Sequence, residues 1–272
     1  MDWRKEMGRR AGVGGWKEDL PLDELPEPIE LDCSRLELPI HPMFAVRLRV
    51  FIDWHSSRGR SVRLIRPEQP RTRDVFEAMN IGAGTAGQED DAVVPVTKIS
   101  EFTEVEEVAN RTQRILEYDL PDVSALGQAT FMAVSELCGN AIEHGSNSLG
   151  GYVAVRRVQE PRRQVSIAIA DLGIGIPEHL RQRYPEWGDD GWAIAHAMDE
   201  HVTGTGDRHR GIGFSAIFEA ALTRSLHGAQ LNILSANGFC RVHLVQEERK
   251  VEVFPIPRFR RGTWITYDLV SV

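Results

Sequence analysis

Glu136 and Asn140 lie four residues apart within S-E-L-C-G-N-A-I-E-H-G, Ser135 to Gly145. Apolar residues recur around them at Phe131, Val134, Leu137, Cys138, Ala141 and Ile142, which is the three-and-four spacing of an amphipathic helix. On such a helix a carboxylate and a carboxamide four apart stack on one flank and address a single object. Together they can activate a water or hydroxyl and hold a metal ion bound to phosphates. The competing reading is a Glu and an Asn on a solvated face. His144, four beyond Asn140, flanks the same site or caps the helix end.

Two glycine-bearing runs follow. In D-L-G-I-G-I-P, Asp171 to Pro177, an apolar stretch ends at a carboxylate and the chain turns. An acceptor held there suits an exocyclic amine such as that of adenine. Gly173 and Gly175 permit backbone angles that a Cβ resists and let a flat ring approach the main chain. A plain β-turn with Asp at its first position is the alternative. In G-I-G-F-S-A-I, Gly211 and Gly213 open a helix whose first N–H groups are unpaired, so Ile212, Gly213 and Phe214 are natural phosphate donors. Arg208, His209 and Arg210 just upstream would close over a triphosphate or form a solvated basic turn. The chain contains no G-x-x-x-x-G-K-[ST], no G-x-G-x-x-G after a strand, and no Cys/His cluster with zinc spacing.

The elements that must position these residues divide the chain. Residues 1–30, rich in Gly, Pro and charge, read as a tail. A small β-α-β-α unit follows: a strand at Leu36 to Ile40, a helix from Pro42 to His55, a strand at Val62 to Ile65, and a helix over Arg71 to Met79. Gly82 to Asp91 is a linker, which puts residues 31–99 in one domain and 100–272 in another. Val93 to Ile99 is a strand that either closes the first unit or crosses to the second. Helices are expected over Val105 to Tyr118 and from Pro121 through Asn140, and strands at 152–158, 165–170, 230–234, 240–246 and 263–269. One helix is expected at Trp192 to His201, inside an irregular stretch 178–210. Trp187, Trp192 and Trp264 read as packing residues. The result is an α/β fold, an α+β two-layer sandwich with one face of a mostly antiparallel sheet covered.

The chain has 272 residues, 42% of them hydrophobic, enough for one large domain or two small ones. Its net charge of −8 excludes a generic nucleic-acid binder. Within it, Val46 to Arg73 carries eight arginines against Asp53 and Glu68, either as solvated faces or as a docking surface for an acidic partner. Cys33, Cys138 and Cys240 are isolated and odd in number, as expected of buried thiols in a reducing compartment. Arg4, Lys5, Arg9 and Arg10 precede Gly, Pro and acid, with no apolar leader, and no run approaches the ~18 apolar residues of a membrane span. A soluble, cytoplasmic protein is expected.

Taken in order, E-L-x-x-N-A-x-x-H-G, D-x-G-x-G-I-P and R-G-I-G-F-S-A-I resemble the GHKL ATPase superfamily, which includes gyrase B, the heat-shock chaperone ATPases, histidine kinases and anti-sigma-factor serine kinases. The closing G-T-W-I-T-Y-D-L looks like that family's last strand. The resemblance covers about 105–272 and implies a site for ATP and Mg²⁺. It implies that Glu136 is the general base, Asn140 binds Mg²⁺ and Asp171 recognises adenine. Gly173, Gly175, Ile176 and Thr263 would line the nucleotide site. Arg208, Arg210, Gly211, Ile212, Gly213 and Phe214 would cradle phosphate beneath a mobile lid. Glu at position 136, where histidine kinases usually carry His, looks more like the anti-sigma kinases or the hydrolytic members. Residues 31–81 are similar to part of a STAS domain, with Ile40, His41 and Pro42 where that family presents a phosphorylatable Ser or Thr. The expected activity is a protein serine/threonine kinase or ATPase, or an ATP-gated interaction module with little turnover. The expected partners are ATP and a regulatory protein, a homodimer being left open.

Overall fold

The computed structural model describes residues 28–81, 93–119, 124–144, 149–158, 164–186, 188–198, 228–245 and 248–270. Residues 1–27, 82–92 and 199–227 lie outside the described residues, and with them most of the tail expected at 1–30, the linker expected at Gly82 to Asp91, and Arg208 to Phe214.

The first unit runs β1 (Ile29–Asp32), α1 (Pro42–Ser56), β2 (Val62–Ile65) and α2 (Pro70–Ala78). The expected strand at Leu36 to Ile40 is not one; the first strand lies at Ile29–Asp32 and pairs in parallel with β2, Ile29 opposite Val62. Pro39, which has no N–H, cannot serve a ladder at 36–40, although Leu36 and Ile40 are buried. A parallel pair needs a crossover, and α1 provides it. That helix starts at Pro42, with the His41 Nδ1 accepting from the Met43 N–H at 3.1 Å.

The second unit contains β3 (Val93–Ile99), α3 (Phe102–Asp119), α4 (Ser124–His144), β4 (Gly151–Val158), β5 (Gln164–Asp171), α5 (Ile176–Arg181), α6 (Asp190–His196), β6 (Gly228–Val245) and β7 (Glu248–Val270). Its strands form one antiparallel sheet in the order β3-β4-β5-β7-β6. β3, the strand that the sequence left between the two units, pairs with β4 as an edge of this sheet. Its register slips between Val94 and Thr97, where Pro95 interrupts the ladder, as proline does at an edge. The strands expected at 230–234 and 240–246 are one, β6, interrupted by an irregularity from Ser235 to Gly238.

Within the second unit α3 and α4 cover one face of the sheet as expected, and burial shows the other face covered by the first unit. Val153 and Val155 of β4, with Ile167 and Ile169 of β5, join a core with α3 and α4. Their alternating neighbours Tyr152, Ala154, Ala168 and Ala170 join a second core with Ile40, Met43 and Leu48 of the first unit and its α1 helix. Three layers result, with the sheet in the middle. The alanines leave room for α1 to lie close.

Polar contacts stitch this second seam. The Tyr152 hydroxyl donates to Asp53 at 2.9 Å, and Arg156 donates to the Ile40 carbonyl at 2.8 Å. The Asp268 carboxylate on β7 accepts from His41 of the first unit and from Ser166 and Gln164 of β5. Burial would raise the Asp268 pKa, but His41, Ser166 and Gln164 outweigh it and hold the carboxyl below the ordinary range. Much of the arginine-rich stretch is spent inside its own unit: Arg49 pairs with Asp53, Arg63 with Glu30, and Arg66 with Glu77. All three cysteine thiols are buried, and burial pushes each up to about 12, so none is a reactive thiolate.

Because a two-stranded sheet is marginal alone and its core is shared with β4 and β5, the two units are expected to unfold together. Tyr152→Ala empties a fully buried ring site at the seam and is expected to cost about 3–5 kcal/mol. Tyr152→Phe, which removes only the donor to Asp53, is expected to cost about 1–3 kcal/mol. Urea unfolding followed by fluorescence and by far-ultraviolet circular dichroism checks both, and transitions that fail to coincide would mean that the units fold separately.

Candidate functional site

α4 forms because its apolar face has somewhere to go. Val134, Leu137, Cys138 and Ala141 are buried on the sheet, while Phe131 and Ile142 pack at the margin. Glu136 and Asn140 are half-buried on the flank. The helix comes down close on β4, where a Cβ at Gly151 would lie 2.8 Å from the Ala141 Cβ. Gly151 is the register partner of Asp171. The turn that carries Asn140, one residue before Ala141, therefore reaches the end of the sheet where Asp171 stands.

Asp171 is the last residue of β5. By strand alternation it shares the face of Ile167 and Ile169, the face that α4 covers. Only 8% exposed, it accepts from the Gly173 N–H at 2.7 Å and from the backbone and side chain of Thr263. Burial pushes its carboxyl up to about 6 against the pull of those donors. Carboxylate and threonine thus form one buried polar pair on adjacent strands.

Two positive-φ glycines make this packing possible. Gly262, at φ +74°, lies so near Asp171 that a Cβ would strike the Asp171 carbonyl oxygen. Gly175, at φ +84°, caps α5, and a Cβ there would be 2.5 Å from the Ser235 Oγ. Ile176, the first residue of α5, donates its N–H to that oxygen at 3.1 Å. Ser235 in turn donates to the Gly262 carbonyl at 2.8 Å. Ser235, Arg261 and Gly262 were not singled out from the sequence as members of this site. A lone glycine in a strand pattern, a sign of close backbone approach, was the available signal for Gly262. Nothing local marks Ser235, which depends on the β6 irregularity, where Ala236 adopts φ +50°.

Beside the loop lies a cleft of about 750 Å³ whose walls include Gly173, Ile174, Arg181, Asp190, Asn237 and Arg261. Arg181 pairs with Asp190, and Asp190 also accepts from the Asn237 N–H at 2.8 Å. Glu136, Asn140 and Asp171 are not among its walls. The cleft is therefore not where these three residues stand. Trp192, expected to pack, is 60% exposed on α6, whereas Trp264 is partly buried against the second core. Trp187 and the phosphate-side residues Arg208, Arg210, Gly211, Ile212, Gly213 and Phe214 lie outside the described residues.

The donor set fits the groups expected from the sequence. A buried acceptor flanked by Thr263, with glycine backbone on either side, suits a flat base bearing an exocyclic amine. A single carboxamide on α4 suits Mg²⁺, which is commonly held by one or two side chains plus phosphate oxygens rather than by an all-protein cage. Because the folded-state pKa of Asp171 is raised, its contribution to stability is fully present below about pH 4 and is lost as pH rises through about 6. The carboxyl carbon resonance of Asp171 is expected to titrate with a midpoint near 6, and a midpoint below 4 would mean that water reaches the site.

Residues 127–267, just over half of the chain, match the family model described as histidine kinase-, DNA gyrase B-, and HSP90-like ATPase. Among solved structures, the chain is similar to the 43K ATPase domain of Thermus thermophilus gyrase B in complex with an aminocoumarin. That match has 19% identity and a TM-score of 0.29 and covers 59% of this chain but only 39% of that one. It is similar also to the mycobacterial sensor histidine kinase MprB, with 18% identity, a TM-score of 0.28, and 63% and 97% of the two chains covered. No curated relative matches the sequence. The family match takes in most of α4, with Asp171 and Thr263, and on it this chain belongs to the histidine kinase-, DNA gyrase B- and HSP90-like ATPase family.

Proposed function

We propose that the chain is a Mg·ATP-binding regulatory protein that uses Glu136 as a general base, as an anti-sigma-like protein serine/threonine kinase or an ATPase. The observation that carries the reading is the buried pair of Asp171 and Thr263 at the end of β5, beneath the helix that bears Glu136 and Asn140. Mg·ATP, when bound, supplies a γ-phosphorus whose surrounding charge is partly neutralised by the metal. Asp171 accepts from the adenine amine and Thr263 holds that carboxylate in place. Asn140 would hold the metal, and Glu136, four residues away on the same flank, would take the proton of the attacking hydroxyl, whether a partner's serine or water, as its oxygen bonds to the γ-phosphorus and the bond to the departing ADP breaks. Arg208, Arg210 and residues 211–214 serve the phosphates in this reading. The β-α-β-α unit is its STAS-like docking element for a regulatory protein. No described helix is long and apolar enough to cross a membrane, and a cytoplasmic location belongs to the same proposal.

A second reading, an ATP-gated interaction module with little turnover, draws support from one feature. The first unit shares its core with β4 and β5, the strand pair that ends at Asp171. Occupancy at the strand end would then bear on the surface that the unit offers to a partner.

Isothermal titration and turnover measurements test both. Asp171→Ala is expected to weaken ATP binding by about 1.5–3 kcal/mol, the value of a hydrogen bond to a charged group. Glu136→Gln is expected to leave binding intact and to lower turnover about 10²- to 10⁴-fold. With γ-labelled ATP, free phosphate released by the pure protein alone identifies an ATPase, and a band labelled in cell lysate only when the protein is added identifies a kinase. Binding without either product supports the module, and no binding at millimolar Mg·ATP overturns both readings.

A further inference from the structure

The loop from Leu172 to Ile176 is held at each end by a residue of the neighbouring β6–β7 ladder. At its start, the Arg261 Nε donates to the Leu172 carbonyl at 2.9 Å. At its end, the fully buried Ser235 hydroxyl accepts from the Ile176 N–H at 3.1 Å. The two anchors sit on either side of Gly262, whose carbonyl accepts a hydrogen bond from the Ser235 hydroxyl and whose backbone presses against Asp171. Ser235 is also the register partner of Thr263, which donates to Asp171. Arg261 is steadied from the other unit, since its guanidinium lies 5.5 Å from the centre of the Trp54 ring on α1.

We propose that Arg261 and Ser235 form a two-point clamp that sets the loop's height over Asp171, and thereby set affinity and selectivity for the adenine base without touching it. The inference rests on the adenine-binding reading above. Both are positioning residues. The physical case is that a hydrogen-bond acceptor discriminates between bases only when its position is fixed to a fraction of an ångström. The Asp171 side chain is fixed partly by the Gly173 N–H, which moves with the loop. If either end slackens, Gly173 shifts, and a base whose edge pairs less well with Asp171 is rejected less sharply. The glycines that shape the loop cannot hold it by themselves, because their freedom of φ is what the clamp removes.

Isothermal titration with ATP and GTP, on the full chain, tests the clamp. Ser235→Ala and Arg261→Ala are each expected to raise the Kd for ATP about threefold to tenfold, the range of one lost hydrogen bond, and to shrink the ATP-to-GTP preference. Arg261→Lys, which keeps a donor but loses the guanidinium near the Trp54 ring, is expected to fall between parent and Arg261→Ala. Arg261 is exposed, so its variants keep the fold even if Ser235→Ala does not. In the nucleotide-free protein, Ser235→Ala is expected to speed hydrogen exchange at the Ile176 amide. Parental Kd values and a parental ATP-to-GTP ratio in the Arg261 variants overturn the clamp while leaving the ATP site standing. An equal loss for both nucleotides means general loosening and also overturns it. A parent chain that binds neither nucleotide overturns this inference together with the function on which it rests.

Discussion

At Gly262 the backbone of β7 comes against Asp171 more closely than any side chain would allow, and most of the site follows from that approach. Because the two strands meet there without a Cβ between them, Thr263 lands where its backbone and hydroxyl both reach the Asp171 carboxylate. The carboxylate can then be buried, since its lone pairs have donors, and burial rather than any nearby charge raises its pKa. A carboxyl held this way is poised close to neutral pH and rigid. Both properties suit recognition of a neutral base more than capture of a cation.

The second organising constraint is a sheet that is apolar on both faces. In β5 the run V-S-I-A-I-A puts isoleucines under α3 and α4 and alanines under α1. Large residues fill the gap beneath the long helices, and small ones let the first unit sit close. The first unit is therefore not a tethered satellite. It is the third layer of the fold, joined through Tyr152 to Asp53, Arg156 to Ile40, and Asp268 to His41. Trp54 extends the same contact to Arg261, beside the loop over the site.

The arginines of 47–73 show how a charge run can be used locally. Eight arginines among the 28 residues from Val46 to Arg73 leave solvated faces and a docking surface both open. In the structure Arg49, Arg63 and Arg66 meet carboxylates, Arg73 meets the Pro67 carbonyl, and Arg58 lies 3.3 Å from the Trp54 ring. Several of these bonds are local and pair the charge within its own unit, with Arg63 and Arg66 still exposed. The partly buried Asp268 illustrates the reverse. A carboxylate near the chain's end looks like a surface residue in the sequence, yet it joins His41, 227 positions away, to two donors on β5.

Short-range periodicity determined much of this protein. The helix bearing Glu136 and Asn140, the crossover helix after Pro42, the hairpin of 151–158 and 164–171, and the carboxylate at that hairpin's end were all legible, because each depends on neighbours within a few residues. Periodicity misplaced the first strand, because apolar spacing at 36–40 does not reveal that Pro39 denies the ladder a donor. It also missed the third layer, although the lack of polar alternation in β5 was a visible sign that both faces would be covered. Only the tertiary structure decided that Val93 to Ile99 joins β4, that Thr263 serves Asp171, and that Ser235 and Arg261 hold the loop between. Those contacts join residues up to 92 positions apart, Asp171 to Thr263 among them, and are fixed by strand register and close backbone approach, which no local pattern of residue types encodes.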